Sequence, residues 1–337
     1  MNNLINSILK NTTYLMFTLM FLTSCNFNKK SKPLLANNEM KTDKNIQTEY
    51  VLKNKFLTLV VKAKGAEMTS LRTENREYVW QADPEFWPRH APILFPIVGR
   101  LVDHEYTYNG KTYAMKQHGF ARDNDFKMID RTENSITFEQ VATEKSKEIY
   151  PFDFVLQVKY TLSEKSLITK YVVKNPLENE DLYFSIGAHP AFNCPFEEGQ
   201  ARNEYELIFD KALAPESEDK TKGLRINKTN KVFEEKGKIT LHDSIFNNDA
   251  LIFNPNPFSK VTFVHKLTQK KYLSISFKNY PYLGIWSPNE TSPFVCIEPW
   301  HGITDSEDHN KELKEKEGII KLMPNNTFNC EFIVEVL

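Results

Sequence analysis

Apolar and polar residues alternate with a period of two along much of the chain. One segment has apolar residues at Phe154, Leu156, Val158, Tyr160 and Leu162, and another at Phe328, Cys330, Phe332, Val334 and Val336. Successive side chains of a β-strand point to opposite faces, so this pattern predicts strands that bury one face. Shorter runs of β-type residues lie at Leu57–Val61, Ile136–Val141, Leu167–Val173, Tyr205–Phe209, Val261–Val264, Leu273–Phe277 and Tyr282–Trp286.

Helical periodicity is nearly absent from the chain. A short polar helix is expected over Asp308–Glu317, where Leu313 is the only apolar residue. Turn-forming sequences such as Asn109-Gly110 separate many of the strand-like runs, and no alternation of strands with helices is visible. The pattern predicts an all-β protein in which residues 48–337 form one large antiparallel β-sandwich.

The N-terminal residues have the features of a targeting segment. Lys10 precedes the apolar run Tyr14–Leu22, and no acidic residue occurs before Glu39. The run is too short to span a bilayer, and it ends in Leu22-Thr23-Ser24-Cys25, which resembles the lipobox of bacterial lipoproteins. We therefore expect a signal peptide over residues 1–24, a lipidated Cys25 at the start of a flexible tether over residues 25–47, and membrane anchoring in the cell envelope. An ordinary signal peptide is the alternative.

Composition narrows the range of functions. The 337 residues include 43 Lys plus Arg and 44 Asp plus Glu, and the resulting net charge of -1 provides no general attraction to nucleic acid. Only 11 residues are glycine, and neither GxxxxGK[ST] nor GxGxxG occurs, so a nucleotide cofactor is not expected. Cys194, Cys296 and Cys330 are odd in number and lack metal-ligand spacing, so no metal site or complete disulfide framework is expected.

Four short segments concentrate His, Arg, Glu, Trp and Pro in a way that ordinary strands do not. They are Ala91–Arg100, Gln117–Arg122, Ile186–Asn193 and Ile297–Gly302. Together with Tyr150–Phe154, Asn248–Phe253 and Gly284–Pro288, in this order, they resemble the aldose 1-epimerase (galactose mutarotase) superfamily, and specifically its LacX-like branch. The resemblance extends from about Leu57 to the C-terminus.

This resemblance implies interconversion of the α and β anomers of a free hexose. Opening the ring requires a base for the proton on O1 and an acid for the ring oxygen O5. The motif implies that Glu298 is the base and His189 the acid, and neither a metal nor a cofactor is needed. We expect the two side chains to face each other across a gap that fits one pyranose.

The same resemblance implies further residues of the sugar site. Arg100 and His118 would orient the substrate, Asp249 would bind hydroxyls remote from C1, and Asn193 would support the site. Asp243 is an alternative to Asp249. Trp286 and Trp300 are candidates for stacking on the sugar, whereas the roles of Arg122 and His301 stay open.

Two other functions remain open at this stage. A hexose-6-phosphate 1-epimerase would need a cluster of cations near C6 of the sugar, and the motifs contain only Arg100 as a clear candidate. A non-catalytic carbohydrate-binding lipoprotein could use the same pocket without turnover, although both Glu298 and His189 are present.

Overall fold

The computed structural model describes residues 48–337, and the strands follow the alternation in the sequence. The predicted signal peptide, Cys25 and the tether lie outside the described residues. The strands are β1 (Glu49–Lys53), β2 (Thr58–Lys62), β3 (Met68–Arg72), β4 (Ile93–Leu94), β5 (Glu105–Tyr108), β6 (Lys111–Ala114), β7 (Lys127–Arg131), β8 (Ser135–Val141), β9 (Val155–Ser163), β10 (Ser166–Lys174), β11 (Leu182–Phe184), β12 (Ile186–Ala188), β13 (Ala191–Asn193), β14 (Tyr205–Phe209), β15 (Ser217–Thr221), β16 (Leu224–Asn230), β17 (Lys238–Thr240), β18 (Leu251–Phe253), β19 (Lys260–His265), β20 (Lys271–Ser276), β21 (Tyr282–Trp286), β22 (Phe294–His301), β23 (Ile320–Leu322) and β24 (Thr327–Val336).

Helical structure is restricted to short segments in this part of the chain. The α-helix α1 covers Glu144–Lys147, and 3-10 helices cover Val102–His104, Ala121–Asp123, Arg202–Glu204, Asp243–Phe246 and Leu313–Glu315. The expected helix over Asp308–Glu317 is therefore wrong except for one 3-10 turn. Its ten residues have a single apolar anchor, Leu313, which is buried, and one buried side chain does not hold a longer helix against the core.

Two large antiparallel sheets dominate the described residues. The nine-stranded sheet has the order β17-β14-β19-β20-β24-β10-β9-β8-β7. The eight-stranded sheet has the order β16-β15-β18-β21-β22-β12-β4, and β13 pairs with β22 beside β12. The all-β antiparallel sandwich that the sequence predicts is thus confirmed.

The main core lies between these two sheets. Leu156 and Val158 of the nine-stranded sheet belong to the same buried cluster as Leu283 and Ile297 of the eight-stranded sheet. Along β9 the buried and half-buried residues alternate as the sequence predicts. Burying each such aliphatic side chain contributes about 1.5–3 kcal/mol, so the sandwich is held mainly by these inner faces.

No helix among residues 48–337 is long and apolar enough to cross a membrane. The expected membrane anchor involves only residues outside this range.

Candidate active site

The floor of a pocket is formed by β22, which is buried on both faces. Val295 and Ile297 belong to the main core. Because side chains alternate along a strand, Glu298 and Trp300 point to the opposite face of the sheet. This second face carries the pocket, and Glu298 and Trp300 both line it.

Two glycines on neighbouring strands make room for the Trp300 indole. A Cβ atom on Gly187 of β12 would lie 2.5 Å from the indole, and one on Gly284 of β21 would lie 2.3 Å from it. Any side chain at either position would therefore displace the ring. The indole lies across β12 and β21 and forms a flat apolar surface beside Glu298, which pairs with Gly284 in the strand register.

The two side chains predicted to be catalytic are in direct contact. His189 Nε2 lies 3.2 Å from Glu298 Oε2, and the side chains are 8% and 2% exposed. His189 follows β12, and β12 and β13 both pair with β22, which brings the imidazole over Glu298. A pyranose does not fit between atoms 3.2 Å apart, so the expected gap is wrong. Since O1 and O5 of a pyranose are both bonded to C1, a contacting pair can reach both oxygens from one side of the sugar.

Burial shifts the two pKa values in opposite directions. The pKa of Glu298 is raised well above its usual value because the carboxyl is removed from water, and Lys220 and Arg122 offset this only in part. The pKa of His189 is lowered to about 3 by burial and then by the positive charge of Arg122. Burial therefore favours a neutral imidazole beside a protonated carboxyl over the charged ion pair.

Aromatic rings hold the His189 imidazole in place. Trp87 stacks on it with centroids 4.9 Å apart, and Trp286 meets it edge-on at 5.6 Å. The segment that carries Trp87 is tied to the fold by the buried carboxylate of Glu67, which accepts hydrogen bonds from the backbone N–H groups of His90 and Ala91 at 2.8 and 3.0 Å. Trp87 is a site residue that the sequence reasoning missed, because no motif contains it.

His118 is positioned in the pocket as a neutral hydrogen-bond donor. Its Nδ1 accepts a hydrogen bond from the backbone N–H of Gly99 at 3.1 Å, so in the neutral ring the proton lies on Nε2, which is 3.2 Å from the side-chain amide of Gln117. Burial, followed by the neighbouring His189, lowers the pKa of His118 well below its usual value. The residue also has a φ of 66°, a conformation that is uncommon for residues other than glycine and often occurs at functional sites.

Arg122 and Arg89 also line the pocket. Arg122 donates a hydrogen bond to the carbonyl of Gln117 at 2.8 Å, while its Nε has no hydrogen-bond partner within residues 48–337. Burial and then Arg89 lower the pKa of Arg122 to about 10. Arg89 pairs with Asp123 at 2.9 Å. The sequence alone leaves the role of Arg122 open, although this residue lies in the motif Gln117–Arg122. Arg89 lies in none of the motifs, so the sequence does not indicate it as a site residue.

The ion pair of Lys220 and Asp249 also lines the pocket. Lys220 Nζ on β15 lies 3.0 Å from Asp249 Oδ2, and the Lys side chain is 6% exposed against 50% for Asp249. Burial lowers the pKa of Lys220, and Asp249 partly offsets this effect. Asp249 therefore lines the pocket as the resemblance implies, whereas Asp243 lies beside Asn203 in a different cavity. Lys220 was missed because the charged run of β15 shows no sign of burial.

Arg100 and Asn193 are not among the residues that line the pocket. The Arg100 guanidinium turns to the β15–β16 connection, where it donates a hydrogen bond to the carbonyl of Lys222 at 2.7 Å. The Asn193 amide donates hydrogen bonds to the carbonyls of Glu77 and Val79 at 3.0 and 3.2 Å. The expected sugar contact of Arg100 is thus corrected, because its guanidinium ties backbone segments together. Asn193, which is expected to support the site, does so from outside the pocket through bonds to the backbone. His301 packs outside the pocket against Tyr280.

These side chains enclose a cavity of about 440 Å³, within the usual range for small-molecule sites. It is lined by Trp87, Arg89, Gly99, Gln117, His118, Arg122, His189, Lys220, Gly223, Asp249, Ala250, Ile252, Trp286, Pro288, Glu298, Trp300 and Thr304. Polar groups converge on the His189–Glu298 pair, and indole rings cover the apolar walls. The arrangement suits a small polyhydroxylated ring with one polar edge directed at the pair.

The chain resembles two bacterial proteins closely over most of its length. It is 34% identical over 295 residues to Protein LacX, chromosomal, from Lactococcus lactis subsp. lactis, which covers 85% of this chain and 98% of that protein. A solved galactose mutarotase related enzyme from Lactobacillus acidophilus is also 34% identical, with a TM-score of 0.80 over 86% of this chain and 97% of that one.

A solved galactose mutarotase-like protein from Lactobacillus casei is 29% identical, with a TM-score of 0.80 over 86% of this chain and 100% of the other. The family model described as aldose 1-epimerase matches residues 48–320. The chain therefore belongs to the aldose 1-epimerase family.

Proposed function

We propose that this protein is a mutarotase that interconverts the α and β anomers of a free hexose. The observation that carries the proposal is the contact between His189 and Glu298 at the floor of a pocket of monosaccharide size. Both groups can gain or lose a proton, and burial lowers the pKa of His189 and raises that of Glu298. An acid and a base held within reach of the same substrate atoms are what general acid–base catalysis requires.

Ring opening requires two proton transfers, one from O1 of the sugar to the enzyme and one from the enzyme to O5. In the ion-pair form, the Glu298 carboxylate takes the proton from O1, the C1–O5 bond breaks as the C1=O1 double bond forms, and the His189 imidazolium gives its proton to O5. This leaves a neutral imidazole and a protonated carboxyl, which is the protonation state favoured by burial. Rotation about C1–C2 and the reverse transfers then close the ring as the other anomer. The enzyme returns to its starting protonation state.

Proton exchange within the pair links the resting and reactive forms. The two atoms are 3.2 Å apart, so a small adjustment allows the proton to pass directly from Glu298 to His189. A bound hydroxyl group that donates to Glu298 stabilises its charged form, as any hydrogen bond to a carboxylate does. The substrate therefore favours the ion pair that starts the reaction.

The other pocket residues have roles that follow from their chemistry. The neutral Nε2–H of His118 and the guanidinium of Arg122 are donors for oxygen atoms that gain charge as the ring opens. Lys220 and Asp249 provide a donor and an acceptor for hydroxyl groups farther from C1. The rings of Trp87 and Trp300 provide surfaces for the C–H groups of the sugar.

A sugar 6-phosphate is a second candidate substrate, and the structure supplies an observation in its favour. The sequence motifs showed one arginine, whereas the pocket brings Arg89, Arg122 and Lys220 together. Asp123 and Asp249 balance two of these cations, and Arg122 has no carboxylate within ion-pair distance in the described part of the chain. The unpaired guanidinium of Arg122 would bind a negatively charged phosphate group more strongly than a neutral sugar hydroxyl group.

The deciding experiment measures the equilibration of pure α-glucose and α-galactose by polarimetry or proton NMR with the purified full-length chain. We expect a large acceleration over the spontaneous rate. Substantially faster turnover of glucose 6-phosphate than of glucose would favour the second candidate. Saturable sugar binding without any acceleration would instead indicate a non-catalytic binding protein and overturn the proposal.

We further propose that Cys25 carries a lipid that anchors the protein in the cell envelope. The support is the apolar run that ends in Leu22-Thr23-Ser24-Cys25. Cys25→Ser should release the protein from the membrane fraction. Retention of this variant on membranes through high-salt washing would contradict the proposal.

A further inference from the structure

Cys296 is a buried cysteine next to the His189–Glu298 pair. It precedes Glu298 by two residues on β22, so both side chains are on the same face of the sheet. One ligand atom each from His189, Cys296 and Glu298 lies within 4.8 Å of the others, and all three residues are buried. This cluster is not used by the proposed ring opening, which needs only the imidazole and the carboxyl.

The three donors have the chemistry of a site for a thiophilic cation. Thiolate, imidazole and carboxylate are the ligands of Zn²⁺ in proteins, at about 2.0–2.3 Å from the ion. Donor atoms of a tetrahedral site are therefore about 3.3–3.8 Å apart, whereas those in this cluster lie within 4.8 Å of one another, so binding an ion draws them closer together. His189 Nδ1 is buried and has no hydrogen-bond partner among the described residues, and Glu298 Oε2 contacts the His189 imidazole, which is itself a member of the cluster.

The fourth position of such a site faces the sugar pocket. Glu298 and His189 line the pocket, whereas Cys296 is covered on its other side by Trp80, Ala191 and Phe294. An ion that enters through the pocket would thus have three protein ligands and one open position. Three protein ligands and one position open to water are typical of zinc sites other than the closed structural ones.

We propose that the protein binds one thiophilic divalent cation of the Zn²⁺ class at His189, Cys296 and Glu298, and that this binding stops mutarotation. The inhibitory part rests on the proposed function. Binding forms a sulfur–metal bond and breaks the S–H bond of Cys296, it also displaces the proton that burial holds on Glu298, and both protons pass to water. The metal also occupies the lone pairs of Glu298 and His189, which then cannot accept a proton from the sugar.

The cysteine variants separate metal binding from catalysis. The thiol of Cys296 takes no part in the proton transfers, so Cys296→Ser should retain the mutarotation rate and lose the sulfur ligand. Cys330→Ser is the matched control, because Cys330 is a free cysteine in another strand, β24. Cys296→Ala is the second variant if the serine hydroxyl disturbs the apolar surroundings.

Binding is measured with Co²⁺ on the full-length protein, through the thiolate-to-cobalt charge-transfer absorption, which does not depend on turnover. We expect one thiolate-bound ion in the unmodified protein and in Cys330→Ser, and no such band in Cys296→Ser or Cys296→Ala. An absent band in the unmodified protein, or an unchanged band in the Cys296 variants, would overturn the site.

Inhibition is measured with Zn²⁺ in the polarimetric assay. Zn²⁺ should reduce the rate to the spontaneous level. Loss of a residue that only hydrogen-bonds to a metal ligand lowers metal affinity roughly 10- to 100-fold, so the Cys296 variants, which lose a ligand itself, should need a Zn²⁺ concentration higher by at least that factor. Equal inhibition of Cys296→Ser would overturn the proposal. If the protein proves not to be a mutarotase, the cobalt spectrum still decides whether the metal site exists.

Discussion

Replacing Glu298 with Gln tests the proposed acid–base pair most directly. The amide has nearly the same shape as the carboxyl, and it cannot take a proton from O1. A positioned acid or base contributes roughly 10²–10⁴-fold to a rate, which corresponds to about 2.7–5.4 kcal/mol in the barrier at about 1.36 kcal/mol per tenfold change. We expect the acceleration of α-glucose equilibration, followed by polarimetry, to fall by this factor.

The same variant should remain folded, and its stability should respond to pH in a defined way. The folded-state pKa of Glu298 is raised by burial above the ordinary 4.5. As the pH rises past that ordinary value, the unfolded chain loses the proton first, so the unmodified protein loses stability. The Glu298→Gln variant has no such titration. The difference between its unfolding free energy in urea and that of the unmodified protein should therefore shift in favour of the variant between about pH 5 and about pH 8.

Two results would refute this reasoning. An unchanged rate would show that Glu298 is not the base. A loss of several kcal/mol in unfolding free energy would show that the carboxyl has a structural role, because nothing in the pocket explains such a cost. Glu331→Gln is the matched control, since Glu331 is exposed on β24 and should affect neither measurement.

Three further substitutions separate pocket residues from structural ones. Arg122→Gln should lower kcat/KM roughly 10- to 100-fold, because hydrogen bonds to charged groups contribute about 1.5–3 kcal/mol; unchanged steady-state kinetics would exclude Arg122 from substrate binding. Asn193→Ala should lower the unfolding free energy by about 1–3 kcal/mol, since the backbone carbonyls of Glu77 and Val79 lose their donor. A fall in kcat/KM without a loss of stability would contradict this. Burial lowers the pKa of His301 to about 4. As the pH falls below about 6.5, the unfolded chain therefore binds a proton before the folded protein does, and the unfolding free energy decreases by up to about 1.4 kcal/mol per pH unit. His301→Phe should remove this slope from urea titrations, and an identical slope in the variant would show that another group causes it.

The sequence predicts the strands well, because alternation is a local property that one buried face enforces. It brings His189 and Glu298 into one site only through a family resemblance, and it expects a gap where the structure has a contact, because the pairing of β12 and β13 with β22 is not visible in either segment alone. Membership in a motif also does not determine the direction of a side chain. Arg100 shares a motif with pocket residue Gly99, yet its guanidinium binds the carbonyl of Lys222.

Lys220 illustrates a different limit of sequence reasoning. Its strand, β15, consists of polar residues that would ordinarily face solvent. The ammonium is nevertheless almost fully buried because Asp249, which lies outside that strand and just before β18, provides its counter-charge. Burial of a cation depends on such a partner, and the partner is found only when the two strands are placed in one sheet.

The residues of this site come from two kinds of segment, a central strand and the connections between strands. Glu298 lies within β22, between two hydrogen-bonded neighbours, so its position is set by the rigid eight-stranded sheet. Trp87 and Arg122 instead come from connections between strands, which tolerate substitution more readily than a central strand does. Substitutions in these connections should therefore alter which sugar binds while the acid–base chemistry persists. Substitutions that move β22 should remove the chemistry for every sugar alike.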